Sequence, residues 1–233
     1  MEQVSIKHLA CIMDGNRRYA KVHGQPSYEG HKAGVQAVKR VVEFCLQQHI
    51  SYLTLYAFSL ENFNRTAAEL AYLFDLVVQG ARSYMQDLVK SGVRMTFVGD
   101  RQQFPAHVLP AIETLEETSK DGKALHVQIL FCYGGRQEIV STVRHLAQQV
   151  KAGVIEPNDI TDALFNERLW TNGMPAPDLI IRTGGVRRLS NFLLYQAAYS
   201  ELYFTDTFWP AIQETDLFEA VNYFMSVKRN FGR

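Results

Sequence analysis

Two short polar clusters in this 233-residue chain carry the side-chain types needed to hold phosphate. The first, Met13-Asp14-Gly15-Asn16-Arg17-Arg18-Tyr19-Ala20, sets a carboxylate and a glycine beside two arginines. Glycine lets a backbone approach a ligand closely, and successive N–H groups at a helix start form an anion nest. Guanidinium groups add forked, charge-assisted bonds to phosphate oxygens. A carboxylate among anion binders is repulsive unless a hard cation such as Mg2+ bridges it to phosphate. The second cluster, Arg182-Thr183-Gly184-Gly185-Val186-Arg187-Arg188-Leu189-Ser190, offers three guanidinium groups, a hydroxyl and a flexible Gly-Gly. Taken singly, the first also reads as an Asp-Gly turn with solvated arginines and the second as a charged surface loop. Together they point to two phosphorylated substrates meeting.

Both clusters stand where an apolar run ends. Residues 8–13 read as a buried strand stopping at Asp14-Gly15, and 51–57 as a second, followed by Phe58-Ser59-Leu60-Glu61-Asn62. Residues 93–98 end at Gly99-Asp100, 125–131 close on Tyr133-Gly134-Gly135-Arg136, and 178–182 run into Thr183-Gly184-Gly185. Between them, 32–48 carries Val35, Val38, Val42 and Cys45 at helical spacing, and 67–91, 104–120 and 137–150 are further helical patterns. Near-continuous apolar strands alternating with helices predict an α/β fold: one domain, 1–233, with a mostly parallel central sheet surrounded by helices. Ligands of such sheets bind outside the carboxyl ends of the strands, where these polar clusters lie. The chain has no GxxxxGK[ST] loop, GxGxxG fingerprint, GxSxG elbow or HExxH helix, so kinase, dehydrogenase and hydrolase readings lack their motifs.

Composition narrows the class without naming a function. Lys+Arg and Asp+Glu are 24 each, which argues against a nucleic-acid partner, and 47% hydrophobic content suffices for a sizeable core. Cys11, Cys45 and Cys132 are far apart and at no metal-ligand spacing; they read as small core residues in a reducing compartment rather than as redox groups. With neither a leader pattern nor a run long enough to span a bilayer, the expected address is cytoplasmic, with at most peripheral contact with a membrane.

The strings HLACIMDGNRRYAK (8–21), GHKAG (30–34), LTLYAFSLENFNR (53–65), YGGR (133–136), DLIIRTGG (178–185) and RLSNFLLYQAAYSELYFTDTFWP (188–210) resemble, in order and spacing, the cis-prenyltransferase family. The resemblance extends from His8 to Phe231. It implies a homodimer of α/β subunits, each with an apolar tunnel between sheet and helices. It also implies Mg2+-dependent, sequential condensation of isopentenyl diphosphate onto an allylic diphosphate, with farnesyl diphosphate the expected one. The expected product is a polyprenyl diphosphate such as undecaprenyl diphosphate. By the same resemblance, Asp14 holds Mg2+, and Gly15, Asn16, Arg17, Arg18 and Tyr19 form the allylic-diphosphate loop with His31 beside it. Ser59, Glu61, Asn62, Phe63 and Arg65 match the segment that closes over the substrates. Arg182, Arg188 and Ser190 match the isopentenyl-diphosphate site, and Glu201 a second metal-associated carboxylate. Asp14, Asn16, His31 and Asn62 are the catalytic candidates. Asn62 stands where proton removal is often assigned; a neutral amide is a poor base, so it either acts as one or orients the substrate while the departing diphosphate takes the proton. Leu70, Leu73, Phe74, Val77 and Val78 suit a hydrocarbon tunnel and an ordinary core equally. Phe131 and Leu125 lie on the strand that borders the tunnel in the family.

Several positions depart from the family pattern. Ser27 stands where an arginine is usual, Val186 where a glutamate is usual, and Cys132 where an asparagine is usual; the C-terminal Arg-x-Gly reads Asn230-Phe231-Gly232. Losing one charge-assisted phosphate contact costs roughly 1.5–3 kcal/mol, which Arg17 is positioned in sequence to offset. These departures keep two alternatives in view: irregular head-to-middle coupling of two allylic diphosphates, and a non-catalytic partner subunit. Retention of Asp14, Asn16, His31, Asn62, Arg182, Arg188, Ser190 and Glu201 counts against the latter. The apolar C-terminal stretches 192–194, 197–198 and 202–204 fit either a dimer interface or an intrachain core.

Overall fold

Six runs of apolar residues pair into one parallel sheet in the computed structural model, which describes residues 6–84 and 86–228. They are β1 (His8–Ile12), β2 (Tyr52–Ser59), β3 (Val93–Val98), β4 (Leu125–Tyr133), β5 (Leu179–Arg182) and β6 (Glu201–Phe204), in the order β3-β4-β2-β1-β5-β6. Helices α1 (Asn16–Val22), α2 (Ser27–Gln47), α3 (Ala67–Gln79), α4 (Gln86–Lys90), α5 (Leu109–Ser119), α6 (Gly135–Lys151), α7 (Asp162–Arg168) and α8 (Glu214–Ser226) intervene or follow. Every residue of β1 and β5 is buried, as expected of parallel strands covered on both faces. Leu9, Cys11, Leu53, Leu55, Val127, Ile129, Leu179 and Ile181 point into one core with α2, α5 and α8; Ala10, Ile12, Tyr56, Leu130 and Ile180 point into the other, closed by Phe192 and Leu193. Among the described residues no helix is long and apolar enough to cross a membrane.

The α/β architecture is as the alternation predicts, but the pattern 104–120 is helical only over α5, neither α7 nor α8 was expected, and three further differences bear on the site. The pattern 67–91 reads as one helix, but the chain breaks at Gly80 into a π-helical turn, Gly80–Tyr84, before α4; such turns recur at functional sites, and Gly80 borders the cavity described below. α2 begins at Ser27 rather than residue 32, because Pro26 at φ −60°, ψ 149° leads straight into it. β6 carried no sequence signal. It is four residues long at a sheet edge and all four are half-buried, so no alternation marks it. All three cysteines are free and buried, and burial pushes the Cys11 and Cys132 thiols up to about 12, which leaves them unreactive packing groups.

Register fixes where the polar clusters emerge. Ile12 pairs with Tyr56 on one side and with Arg182 on the other, and Arg182 with Phe204. The residues after β1 therefore leave the sheet between the ends of β2 and β5.

Candidate active site

Asp14 is the hub of this strand-end site. Its backbone N–H donates to Thr183 Oγ1 at 3.1 Å, and the Thr183 hydroxyl donates back to the Asp14 carbonyl at 2.7 Å. Its carboxylate is shared by two guanidinium groups: Oδ1 accepts from Arg18 Nη2 and Oδ2 from Arg182 Nη2, both at 3.0 Å. Arg182 is 5% exposed and donates through Nη1 to Ser190 Oγ at 2.7 Å and to the Arg188 carbonyl. Arg18 Nη1 donates to the Gly184 carbonyl at 2.6 Å. The two clusters that look separate in sequence are thus one network, closed through a single carboxylate.

Close backbone approach holds the first cluster in place. Gly15 caps α1 at φ 107°, and a Cβ there would lie 2.7 Å from Phe208 Cδ1, so conformation and space both demand glycine. A Cβ on Gly30 would meet the Asn16 carbonyl at 2.0 Å, which is how α2 comes to lie against the start of α1. Asn16 donates through Nδ2 to the Met13 carbonyl at 3.1 Å, while its Oδ1 is buried without a partner among the described residues, beside the apolar cavity.

An open basin of about 670 Å³ lies over the start of α1. Four cationic side chains, Arg17, Arg18, Lys21 and Arg65, line it together with Asp14 and His31. Ser27, the position where the family usually has an arginine, also lines it. Tyr19 does not join the basin: its ring stacks on His23 with centroids 4.2 Å apart. His31 Nε2 is 3.6 Å from Glu69 Oε1, long for a hydrogen bond, while Arg65 Nη1 pairs with the same oxygen at 3.1 Å. Burial, followed by the neighbouring Arg65 cation, pulls the His31 pKa down to about 4, so the ring is neutral near pH 7.

The segment after β2 folds as a 3-10 turn, Leu60–Asn64, capped by Asn62 Oδ1, which accepts the Ser59 N–H at 3.2 Å. The oxygen a base would use is already an acceptor here. Glu61 Oε1 accepts from Asn191 Nδ2 at 2.8 Å, and Phe63 packs edge-on against Phe58 at 5.1 Å. Arg187, Arg188 and Ser190 are exposed at the loop surface.

Behind the basin is an apolar cavity of about 140 Å³, with Asn16 and His31 at its polar end. Met13, Val35, Leu73, Val77, Phe97 and Phe131 are among its walls. Of the tunnel candidates, Leu73, Val77 and Phe131 line it, whereas Leu70, Phe74, Val78 and Leu125 belong to the surrounding core. Phe131 is fully buried, with the rings of Phe104, Phe58, Phe74 and Phe97 at 5.0, 5.6, 6.0 and 6.4 Å.

Glu201 is the site residue that the chain does not bring to the others. It pairs with Leu179 at the start of β6, whereas Asp14 follows the far ends of the strands. Three residue steps of a parallel strand, roughly 10 Å, separate Glu201 from Phe204 at that end. A metal site joining Asp14 and Glu201 of one chain is therefore not formed, and among the described residues no group of three or more His, Cys, Asp and Glu side chains is placed to hold an ion. Cys132 turns its Sγ to the Gln103 carbonyl at 3.6 Å, away from the site. The Asn230-Phe231-Gly232 departure lies outside the described residues. Three contributors have no role assigned to them from the sequence: Lys21, one turn beyond Arg17; Glu69, one turn beyond Arg65; and Thr183, which the second cluster contains without singling it out. For the first two, i,i+4 spacing from a named arginine was the available signal.

A family model described as putative undecaprenyl diphosphate synthase matches residues 12–232. An isoprenyl transferase of Clostridium perfringens is 43% identical over 226 residues, spanning 97% of this chain and 89% of that protein. A ditrans,polycis-undecaprenyl-diphosphate synthase of Yersinia pseudotuberculosis, specific for (2E,6E)-farnesyl diphosphate, is 42% identical over 98% of this chain and 90% of its own. The crystal structure of lavandulyl diphosphate synthase from Lavandula x intermedia, in complex with dimethylallyl diphosphate, matches with a TM-score of 0.96 at 36% identity, covering 98% of this chain and 99% of that one. With its strand-end carboxylate, paired guanidinium loops and adjoining apolar cavity, this chain belongs to the undecaprenyl diphosphate synthase family and is a prenyltransferase of the cis-elongating type.

Proposed function

We propose that the enzyme condenses isopentenyl diphosphate with an allylic diphosphate, farnesyl diphosphate being the candidate that the Yersinia relative's specificity supports. The observation that carries this reading is the sharing of Asp14 between Arg18, from the first cluster, and Arg182, from the second, beside an apolar cavity. The allylic diphosphate lies in the basin against Arg17, Arg18 and Lys21, with its tail directed past Asn16 and His31 into the cavity. The isopentenyl diphosphate is held by Arg182, Arg188 and Ser190. The allylic C–O bond breaks with its electron pair leaving on diphosphate, and the isopentenyl double bond attacks the resulting allylic cation. A proton then departs from the isopentenyl C2, leaving the new cis double bond. Because a neutral amide has little proton affinity, Asn62, its Oδ1 held by the Ser59 N–H, orients the substrate, and the departing diphosphate accepts the proton. Developing charge on the leaving group is met by guanidinium groups and N–H donors already in place.

The donors fit Mg2+. This cation takes hard oxygens and is commonly held by one or two carboxylates with substrate phosphates, and Asp14 supplies one half-buried carboxylate at the basin floor. When bound, it would neutralise charge on the departing diphosphate. Homodimerisation is proposed for the same reading, supported by Val140 and Val143 exposed on the outer face of α6. A cytoplasmic location with peripheral membrane contact is supported by three free thiols and by the hydrocarbon product.

A second reading, irregular coupling of two allylic diphosphates, is favoured by one observation: Ser27, in place of the expected arginine, lies on the basin rim. One assay separates the two. Purified protein with Mg2+ is given labelled isopentenyl diphosphate and farnesyl diphosphate, and in parallel dimethylallyl and geranyl diphosphates alone. A ladder of extended products that disappears in Asp14→Ala is the expected result. Coupling only between allylic substrates would select the irregular reaction, and silence in every arm would revive a non-catalytic partner subunit.

A further inference from the structure

We infer that Asn191 is a positioning residue that ties the segment closing over the substrates to the loop receiving the second diphosphate, so that the two move as one unit. This rests on the reading of Arg182, Arg188 and Ser190 as the isopentenyl-diphosphate site. Ser190 and Asn191 both stand in the left-handed region, at φ 50° and 65°. Consecutive non-glycine residues keep that conformation only where their surroundings hold them. Here the Asn191 side chain does the holding. Its Oδ1 accepts the Arg136 N–H at 2.8 Å, and its Nδ2 donates to Glu61 Oε1 at 2.8 Å and to Gln137 Oε1 at 3.0 Å. Its backbone carbonyl accepts the Gly135 N–H at 2.8 Å. One amide thus uses its acceptor and both donor hydrogens on two other segments, the turn after β2 and the first turn of α6.

The consequence runs directly to the chemistry. Asn191 sets the neighbouring Ser190, Ser190 Oγ receives Arg182 Nη1 at 2.7 Å, and Arg182 Nη2 reaches Asp14 at 3.0 Å. Two polar contacts on either side of the Ser190–Asn191 peptide bond, Glu61–Asn191 and Ser190–Arg182–Asp14, therefore join the closing segment to the leaving-group side. Asn191 also restrains the Glu61 carboxylate, a charge that repels diphosphate if released toward it. A packing role would call for an apolar or small residue; what this position uses is a neutral donor in a left-handed backbone.

The test compares Asn191→Asp and Asn191→Gly, alone and combined with Glu61→Gln. Aspartate keeps the size, the tolerance for this backbone and the acceptor for Arg136, but it loses the donor and faces Glu61 with a like charge. Glycine keeps the backbone without strain and removes the amide. Separate KM values for isopentenyl and allylic diphosphates, kcat and melting temperature are measured for each. Asn191→Asp is expected to raise the isopentenyl diphosphate KM about tenfold while the allylic KM and the melting temperature hold. Glu61→Gln is expected to rescue much of that loss, because it removes the repulsion. A working enzyme in which the two substitutions add independently, or in which both KM values stay unchanged, overturns the role of Asn191 while leaving the elongation reading intact. A wild-type protein that incorporates no isopentenyl diphosphate overturns both. A loss confined to melting temperature and kcat, with no split between the KM values, overturns the positioning role as well, since that is what a purely structural residue would give.

Discussion

The rim and the cavity of this site sit side by side and are built in opposite ways. The rim is made mainly of charges packed into two short stretches, 14–21 and 182–190, with Arg65 added from the turn after β2, and its geometry follows from two strand ends that pair in register. The cavity has walls from α1, α2, β2, α3, the π-helical turn, β3 and β4, with Met13 just past β1 and Trp209 before α8, and each element supplies between one and four residues. Recognition of diphosphate needs particular groups at particular places, so its residues cluster in sequence. Enclosing a hydrocarbon needs only apolar volume, which any element passing nearby can supply.

The sharpest way to break this contrast is to remove the rim's hub. Asp14→Ala is expected to lower kcat by roughly a thousandfold, at the upper end for loss of one preorganised electrostatic group. It also leaves the 5%-exposed Arg182 without its carboxylate. Stopped-time product assays at saturating substrate check it; a loss below tenfold would mean that the shared carboxylate is a structural tie and not the centre of the chemistry. In the cavity, Phe131→Ala should show the reverse profile. Removing a fully buried ring among four others costs about 3–5 kcal/mol of stability, readable by urea unfolding. The diphosphate affinities should hold, and the enlarged cavity should shift products toward longer chains. If Phe131→Ala changed diphosphate KM values as much as Asp14→Ala changes kcat, rim and cavity would not be separable.

That contrast also accounts for what the sequence revealed. Asp14, Arg18, Arg182 and Ser190 were legible because charged and hydroxyl groups beside glycine at the end of an apolar strand do little for packing and much for an anionic ligand. The succession of β1 to β5 along the chain and their parallel pairing followed from the alternation of elements. The side-chain directions did not. Leu73 and Val77 face the cavity while Leu70 and Val78 pack on the core, yet all four belong to one apolar stripe, and the break of that stripe at Gly80 leaves no mark beyond the glycine itself. Glu201 shows the converse: its type suited a metal ligand, but the register of β6, an element with no sequence signal, puts it at the opposite end of the sheet from Asp14.

A smaller effect sharpens the account of the rim. With Ser27 on the basin edge, Ser27→Arg should add one charge-assisted phosphate contact and lower the allylic KM by about tenfold or somewhat more. The reciprocal change, Arg17→Gly, should raise it, because Arg17 shares that basin and carries the charge that Ser27 lacks. An Arg17→Gly enzyme with unaltered allylic affinity would show that Arg18 and Lys21 suffice and that Arg17 is a solvated bystander.

The least of the expected effects concerns His31, which stands at the boundary between the two regions. Burial, then the nearby Arg65, pulls its folded-state pKa from 6.5 down to about 4, against the opposing pull of Glu69. The unfolded chain therefore takes up the proton first as pH falls. Stability that depends on neutral His31 is complete above about 6.5 and declines as pH drops toward 4. His8 and His126 are lowered to about 4 by burial as well and share the same window. Acidifying from pH 7 to pH 5 should lower the melting temperature by a few degrees, and His31→Gln should flatten part of that slope. The kcat/KM profile, by contrast, should show no inflection near 6.5 that His31→Gln abolishes, because the ring is neutral throughout that range. Were such an inflection found, His31 would be titrating as an exposed member of the cationic rim, and the border between the wet basin and the dry cavity would lie deeper, at Asn16 and its buried oxygen, which has no partner among the described residues.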